Sequence, residues 1–202
     1  MKRVILSIFV AAALWFVMFS PWTAPHVSFW WAMTASALVL TSLALLFGGR
    51  PDVQFTAKEV FMGIVIAVML WCVFWTGDKV SQWMFSFART QVNLIYNMKE
   101  GQSGLWIGLS LLFVIGPAEE IFWRGYVQRT LYGRFGANAA FIATTAVYTL
   151  VHLPSLNFML VMAALLCGAA WGGLFRLFPQ HFTAIVVSHA LWDAAAFVWF
   201  PF

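Results

Sequence analysis

The chain has 202 residues, 63% of them hydrophobic and only 9% charged, with a net charge of +4. A soluble domain carries about 25% charged residues, so this composition excludes a soluble globular domain and predicts a polytopic helical membrane protein. The basic residues flank the apolar runs instead of forming a stripe, which excludes nucleic acid as a partner. The runs are continuous instead of alternating, which argues against a transmembrane barrel.

In chain order, seven apolar segments stand out: 4–20, 27–48, 59–76, 104–127, 138–153, 157–178 and 182–200. Most reach the roughly 20 residues that span a bilayer; the first and fifth are short. Lys2 and Arg3 precede the first run as in a signal peptide. The following Ser20-Pro21-Trp22-Thr23-Ala24-Pro25 is a poor cleavage site, so the reading is an uncleaved first membrane helix. Pro21 and Pro25 mark the first turn, Gly48-Gly49-Arg50-Pro51-Asp52 the second, and Pro154 and Pro179 end later helices.

Residues 77–89 mix polar and aromatic side chains and predict an amphipathic helix in the interface, followed by a polar connection to Ser103. It reads equally as a loop helix or as a gate for substrate. Gly168 to Gly173 is rich in small residues and predicts close helix packing, not chemistry. The two cysteines, Cys72 and Cys167, lie inside apolar runs and suggest no disulfide.

With a cytoplasmic N-terminus, Lys2, Arg3, Arg50, Lys58, Arg124, Arg129, Arg134 and Arg176 fall on or towards the cytoplasmic side, and Lys79, Arg89 and Lys99 outside. The positive-inside rule favours that orientation. The whole reads as one all-α membrane domain over 1–202, about seven transmembrane spans plus the interfacial helix, with 1–102 and 103–202 as its two parts.

Six ionisable residues sit within or at the ends of these apolar runs: Glu119, Glu120, Arg124, His152, His189 and Asp193. A charge near the bilayer centre costs at least about 2.5 kcal/mol, so such groups face the interior and partner one another. Glu120 and Arg124 are four apart, share a helix face and can pair. That pair accounts for two residues without any chemistry, but it does not account for Glu119, which is left as a general base or acid. Tyr148 and His152 share a face, and alone they fit an interfacial histidine as well as a catalytic one. His189 and Asp193 also share a face. They could pair across helices, bind a metal, or aim donors at an oxyanion. His26 and His181 lie at segment edges and receive no role.

The ordered trio Glu119-Glu120-x-x-x-Arg124, Tyr148-x-x-x-His152 and His189-x-x-x-Asp193 resembles the CAAX-protease and bacteriocin-processing (CPBP, or Abi) family of intramembrane proteases. The resemblance covers about 104–200. Tyr148 stands where Phe is usual, and Asp193 where the prenyl-protein proteases have Asn. The resemblance implies an intramembrane endopeptidase acting on a membrane-associated or lipid-anchored protein or peptide, with 103–202 as its catalytic core. Glu119 with His152 would activate water, His189 with Asp193 would stabilise the oxyanion, and Glu120 and Arg124 would hold the architecture. The family is described both as metal-dependent and as glutamate-type. Glu119, His152, His189 and Asp193 could supply a site for a divalent metal such as zinc, although no His-Glu-x-x-His helix is present. The resemblance also suggests a bacterial inner membrane. A catalytically silent immunity or binding protein on the same scaffold, or a small ion- or proton-coupled transporter, are the competing readings.

At 1.5 Å per residue, Glu119 lies about 22 Å from a helix start near Ser103, and His189 and Asp193 about 11 and 17 Å from one near Phe182. Entering from opposite sides, those depths overlap. His152 falls at the far end of its short helix and does not fit unless that helix starts late or tilts.

Overall fold

A computed structural model describes residues 1–202. It is all helical. Helices α1 (Lys2–Phe19), α2 (Phe29–Gly48) and α3 (Ala57–Met84) are followed by a short helix, α4 (Ala88–Asn97). A continuous helix, α5 (residues 104–135), then packs beside α6 (Ala137–Leu150), α7 (Phe158–Leu177) and α8 (residues 182–199). Three starts follow local chemistry. Thr56, Ser103 and Asn157 each accept a hydrogen bond from the backbone N–H three residues on, satisfying a donor the helix leaves free.

Six helical stretches are long and apolar enough to cross a membrane, and α5 and α6 together form one of them. The expected fifth span, α6, has 14 residues, or about 21 Å, which is short of a core about 30 Å thick. Large apolar side chains such as Phe9, Leu46, Leu105 and Phe113 are exposed, while Glu119, Glu120, Arg124, His152, His189 and Asp193 are all buried. Apolar groups face outwards and charges inwards, the distribution a bilayer demands.

Two expected boundaries differ. The helix expected to end near 76 continues to Met84. Asp78 does not break it, because its buried carboxylate meets Lys79 (3.2 Å), Gln82 (2.5 Å) and Arg89 (3.8 Å). The separate amphipathic helix is therefore α4, later in the chain than the expected 77–89. Lys99 Nζ donates to the carbonyl of Phe197 at 3.0 Å and Arg89 to that of Phe202 at 3.1 Å, tying the α4 region to the end of α8.

The helix expected over 104–127 runs on to Phe135 and turns at Gly136, whose φ of +81° suits glycine. This resolves the depth of His152. The stretch from Glu119 down to Phe135 and the stretch from Ala137 up to His152 are each roughly 23 Å at 1.5 Å per residue. The antiparallel pair thus brings both residues to one level. Arg124 does not flank a span; it is 1% exposed and belongs to the interior.

Candidate active site

Helix α5 carries two wider, π-type stretches, Leu111–Ile115 and Trp123–Gln128, on either side of Glu119 and Glu120. Such turns recur at functional sites. Every residue from Phe122 to Gln128 is buried, so this part of α5 is enclosed on all sides. Gly116 permits the approach of α8: a Cβ there would stand 2.7 Å from the Cα of Ala190.

Glu120 has no exposed surface. Its Oε1 accepts from Arg124 Nη1 at 2.8 Å and from His189 Nδ1 at 2.6 Å. The expected i,i+4 pair therefore has a third member from α8. Arg124 Nη2 donates to the carbonyls of Cys167 (3.4 Å) and Gly168 (3.3 Å), and the guanidinium lies over the Tyr148 ring, 5.1 Å from its centre. The small-residue stretch of α7 packs as expected: a Cβ on Gly168 would meet Tyr148 and Thr145.

The His189 imidazole stacks on Trp171, centroids 3.7 Å apart at 14°. Trp171 is itself held by a 3.0 Å bond from its Nε1 to Ser188 Oγ. With Nδ1 directed at Glu120, Nε2 faces Asp193 Oδ2 at 3.5 Å.

Across the cavity, the Tyr148 hydroxyl donates to Glu119 Oε2 at 2.9 Å. His152 Nδ1 lies 2.7 Å from the Tyr148 carbonyl oxygen, and Trp15 Nε1 donates to His152 Nε2 at 3.1 Å. Glu119, Tyr148, His152, His189 and Asp193 all line one cavity of about 110 Å³, room for several water molecules. The four expected site residues are thus brought together, from α5, the end of α6, and α8. Helices α1 and α2 close the cavity with Phe19, Phe29, Trp30 and Met33.

Trp15, Trp171 and the bond between Glu120 and His189 were missed in the sequence. Trp15 and Trp171 are two among 12 tryptophans, and only their positions in space mark them out.

The side chains do not gather as a metal site. No group of three or more His, Cys, Asp or Glu is placed to hold an ion. Both nitrogens of His152 are engaged, and one nitrogen of His189 is held by Glu120. The expected ligand set of Glu119, His152, His189 and Asp193 does not fit a metal in this arrangement.

No curated protein and no solved structure matches the chain. Residues 101–195 match a family model described as type II CAAX prenyl endopeptidase, Rce1-like. The match supports an intramembrane endopeptidase of the CAAX type in general terms and agrees with the CPBP resemblance. The segment 101–195, which carries all seven residues of the ordered trio, is similar to the Rce1-like family.

Proposed function

We propose that the protein hydrolyses a peptide bond in a membrane-associated or lipid-anchored protein or peptide, with Glu119 as the base that activates water. The observation that carries this reading is the convergence of four buried residues, Glu119, His152, His189 and Asp193, on one cavity. Tyr148 orients the Glu119 carboxylate through Oε2. That leaves Oε1 to take the proton of the attacking water. His189, held through Nδ1 by Glu120 and through its face by Trp171, turns Nε2 towards Asp193. With a proton on Nε2, His189 donates to the developing oxyanion, a role worth about 3–4 kcal/mol for one donor in other hydrolases. No step requires a metal.

A second, apolar cavity supports a lipid-anchored substrate. It holds about 420 Å³ between α3, α4, α7 and α8, within the range of small-molecule sites. Leu160, Ala163, Trp192 and Phe197 line both cavities, so a hydrocarbon chain in one would present an attached peptide to the other. A bacterial inner membrane and a cytoplasmic N-terminus complete the proposal. With Arg124 removed from the tally, the remaining basic residues still favour that orientation.

The test uses the full chain in lipid nanodiscs with a farnesylated peptide ending in Cys-aliphatic-aliphatic-X and its unlipidated twin, and mass spectrometry of the products. Glu119→Gln should lose about 10²–10⁴-fold in rate while keeping its thermal unfolding temperature. Undiminished cleavage by that variant would remove Glu119 from the mechanism. No cleavage by the wild type, with ion flux that needs Glu119, would favour a transporter.

A further inference from the structure

We propose that Trp15, on α1, is a positioning residue of the catalytic centre: its indole N–H caps His152 Nε2 and fixes that imidazole as the Nδ1–H tautomer. A carbonyl oxygen only accepts, so the 2.7 Å contact to the Tyr148 oxygen places a proton on Nδ1. An indole N–H only donates, so the 3.1 Å contact from Trp15 requires a bare Nε2. The two partners together leave one tautomer, and the ring is neutral in it.

The packing holds this arrangement in place. Trp15 is 1% exposed. It meets Trp123 edge to face at 6.5 Å and His152 at 6.1 Å. Phe19, one turn further along α1, lies 5.5 Å from the same imidazole. Helix α1 lies outside the segment that matches the Rce1-like family, so the motif residues of that family do not include its contribution.

The chemical consequence is a division of roles. While the indole is in place, His152 Nε2 can neither accept a proton from water nor ligate an ion. The proton acceptor of the site is then Glu119, and His152 works by shape and by fixing the Tyr148 turn. The kinetic part of this inference rests on the proteolytic reading; the tautomer does not.

The experiment is nitrogen magnetic resonance on the full chain with labelled histidine, in lipid nanodiscs. The His152 signals are assigned by their loss in His152→Gln. The wild type should show a protonated Nδ1 and a bare Nε2. In Trp15→Phe the Nε2 resonance should move and the tautomers should mix. Should that variant fail to fold, benzothienylalanine at position 15 keeps the indole shape and replaces the N–H with sulfur. On the farnesylated peptide, kcat should fall about tenfold, the scale of one hydrogen bond, with KM within about twofold. His152 signals identical with and without the indole N–H would overturn the proposal. So would a shifted resonance with kcat unchanged. A wild type that shows the expected tautomer but cuts nothing would count against the proteolytic reading alone.

Discussion

Glu120 Oε1 is the most connected atom of the site, shared between Arg124 and His189. Removing one partner of a buried ion pair typically costs about 3–5 kcal/mol, because the other charge is left uncompensated. Arg124→Met should therefore lower the unfolding temperature in detergent sharply. Adding Glu120→Gln should recover part of that loss. Glu120→Gln alone should impair cleavage while Glu119 is intact, since a neutral amide holds the His189 ring less firmly; unchanged kcat would refute that. Legibility at this scale follows chain distance. Glu120 and Arg124 sit one helical turn apart, so spacing alone paired them. The bond from Glu120 to His189 closes 69 residues and that from Trp15 to His152 closes 137. No periodicity reports contacts of that reach.

Among the elements, the approach of α5 to α8 sets the distance from Glu119 to His189. Gly116 allows it, because any Cβ there meets the backbone of Ala190 at 2.7–3.0 Å, and backbone yields less readily than a side chain. Gly116→Ala should cost about 1–3 kcal/mol through overpacking and push α8 outwards. Cleavage should then fall further than stability does. A variant with normal rates would mean that α8 has room to shift without disturbing the site. The number and order of the helices were readable from apolar run length, since every long run became a helix. Their ends were less so. The third apolar run stops at 76, but Asp78 finds three partners and the helix runs on. The fourth apolar run stops at 127, although helix geometry continues through Arg129 and Arg134 to Phe135. That added length is what lowers the start of α6 and lifts His152 to the level of Glu119.

At the scale of the molecule, basic residues gather at two ends. Lys2, Arg3, Arg50, Lys58, Arg129, Arg134 and Arg176 lie at one set of helix ends or the loops beside them, and Lys79, Arg89 and Lys99 at or near α4. Single cysteines placed beside Arg50 and beside Lys99, in a chain lacking Cys72 and Cys167, should label from opposite sides of a sealed vesicle; labelling from the same side would refute the orientation. The apolar groove against α4 supplies the other test. Ala163→Trp, at the wall between the two cavities, should reduce kcat/KM for the farnesylated peptide at least about tenfold, equivalent to about 1.4 kcal/mol, and should affect the unlipidated peptide less. Equal losses on both would show that the groove does not hold the lipid.

The chamber has two suppliers. The matched half brings the acids and imidazoles, while Phe19, Phe29, Trp30 and Met33 from the unmatched half form its remaining side. On the proposed proteolytic reading, exchanging α1 and α2 for those of another protein that matches over the same segment would recast the mould around the substrate and leave the acids and imidazoles where they stand, so long as an indole travels with the graft at position 15. Preference for cargo and capacity to cut would then be inherited separately.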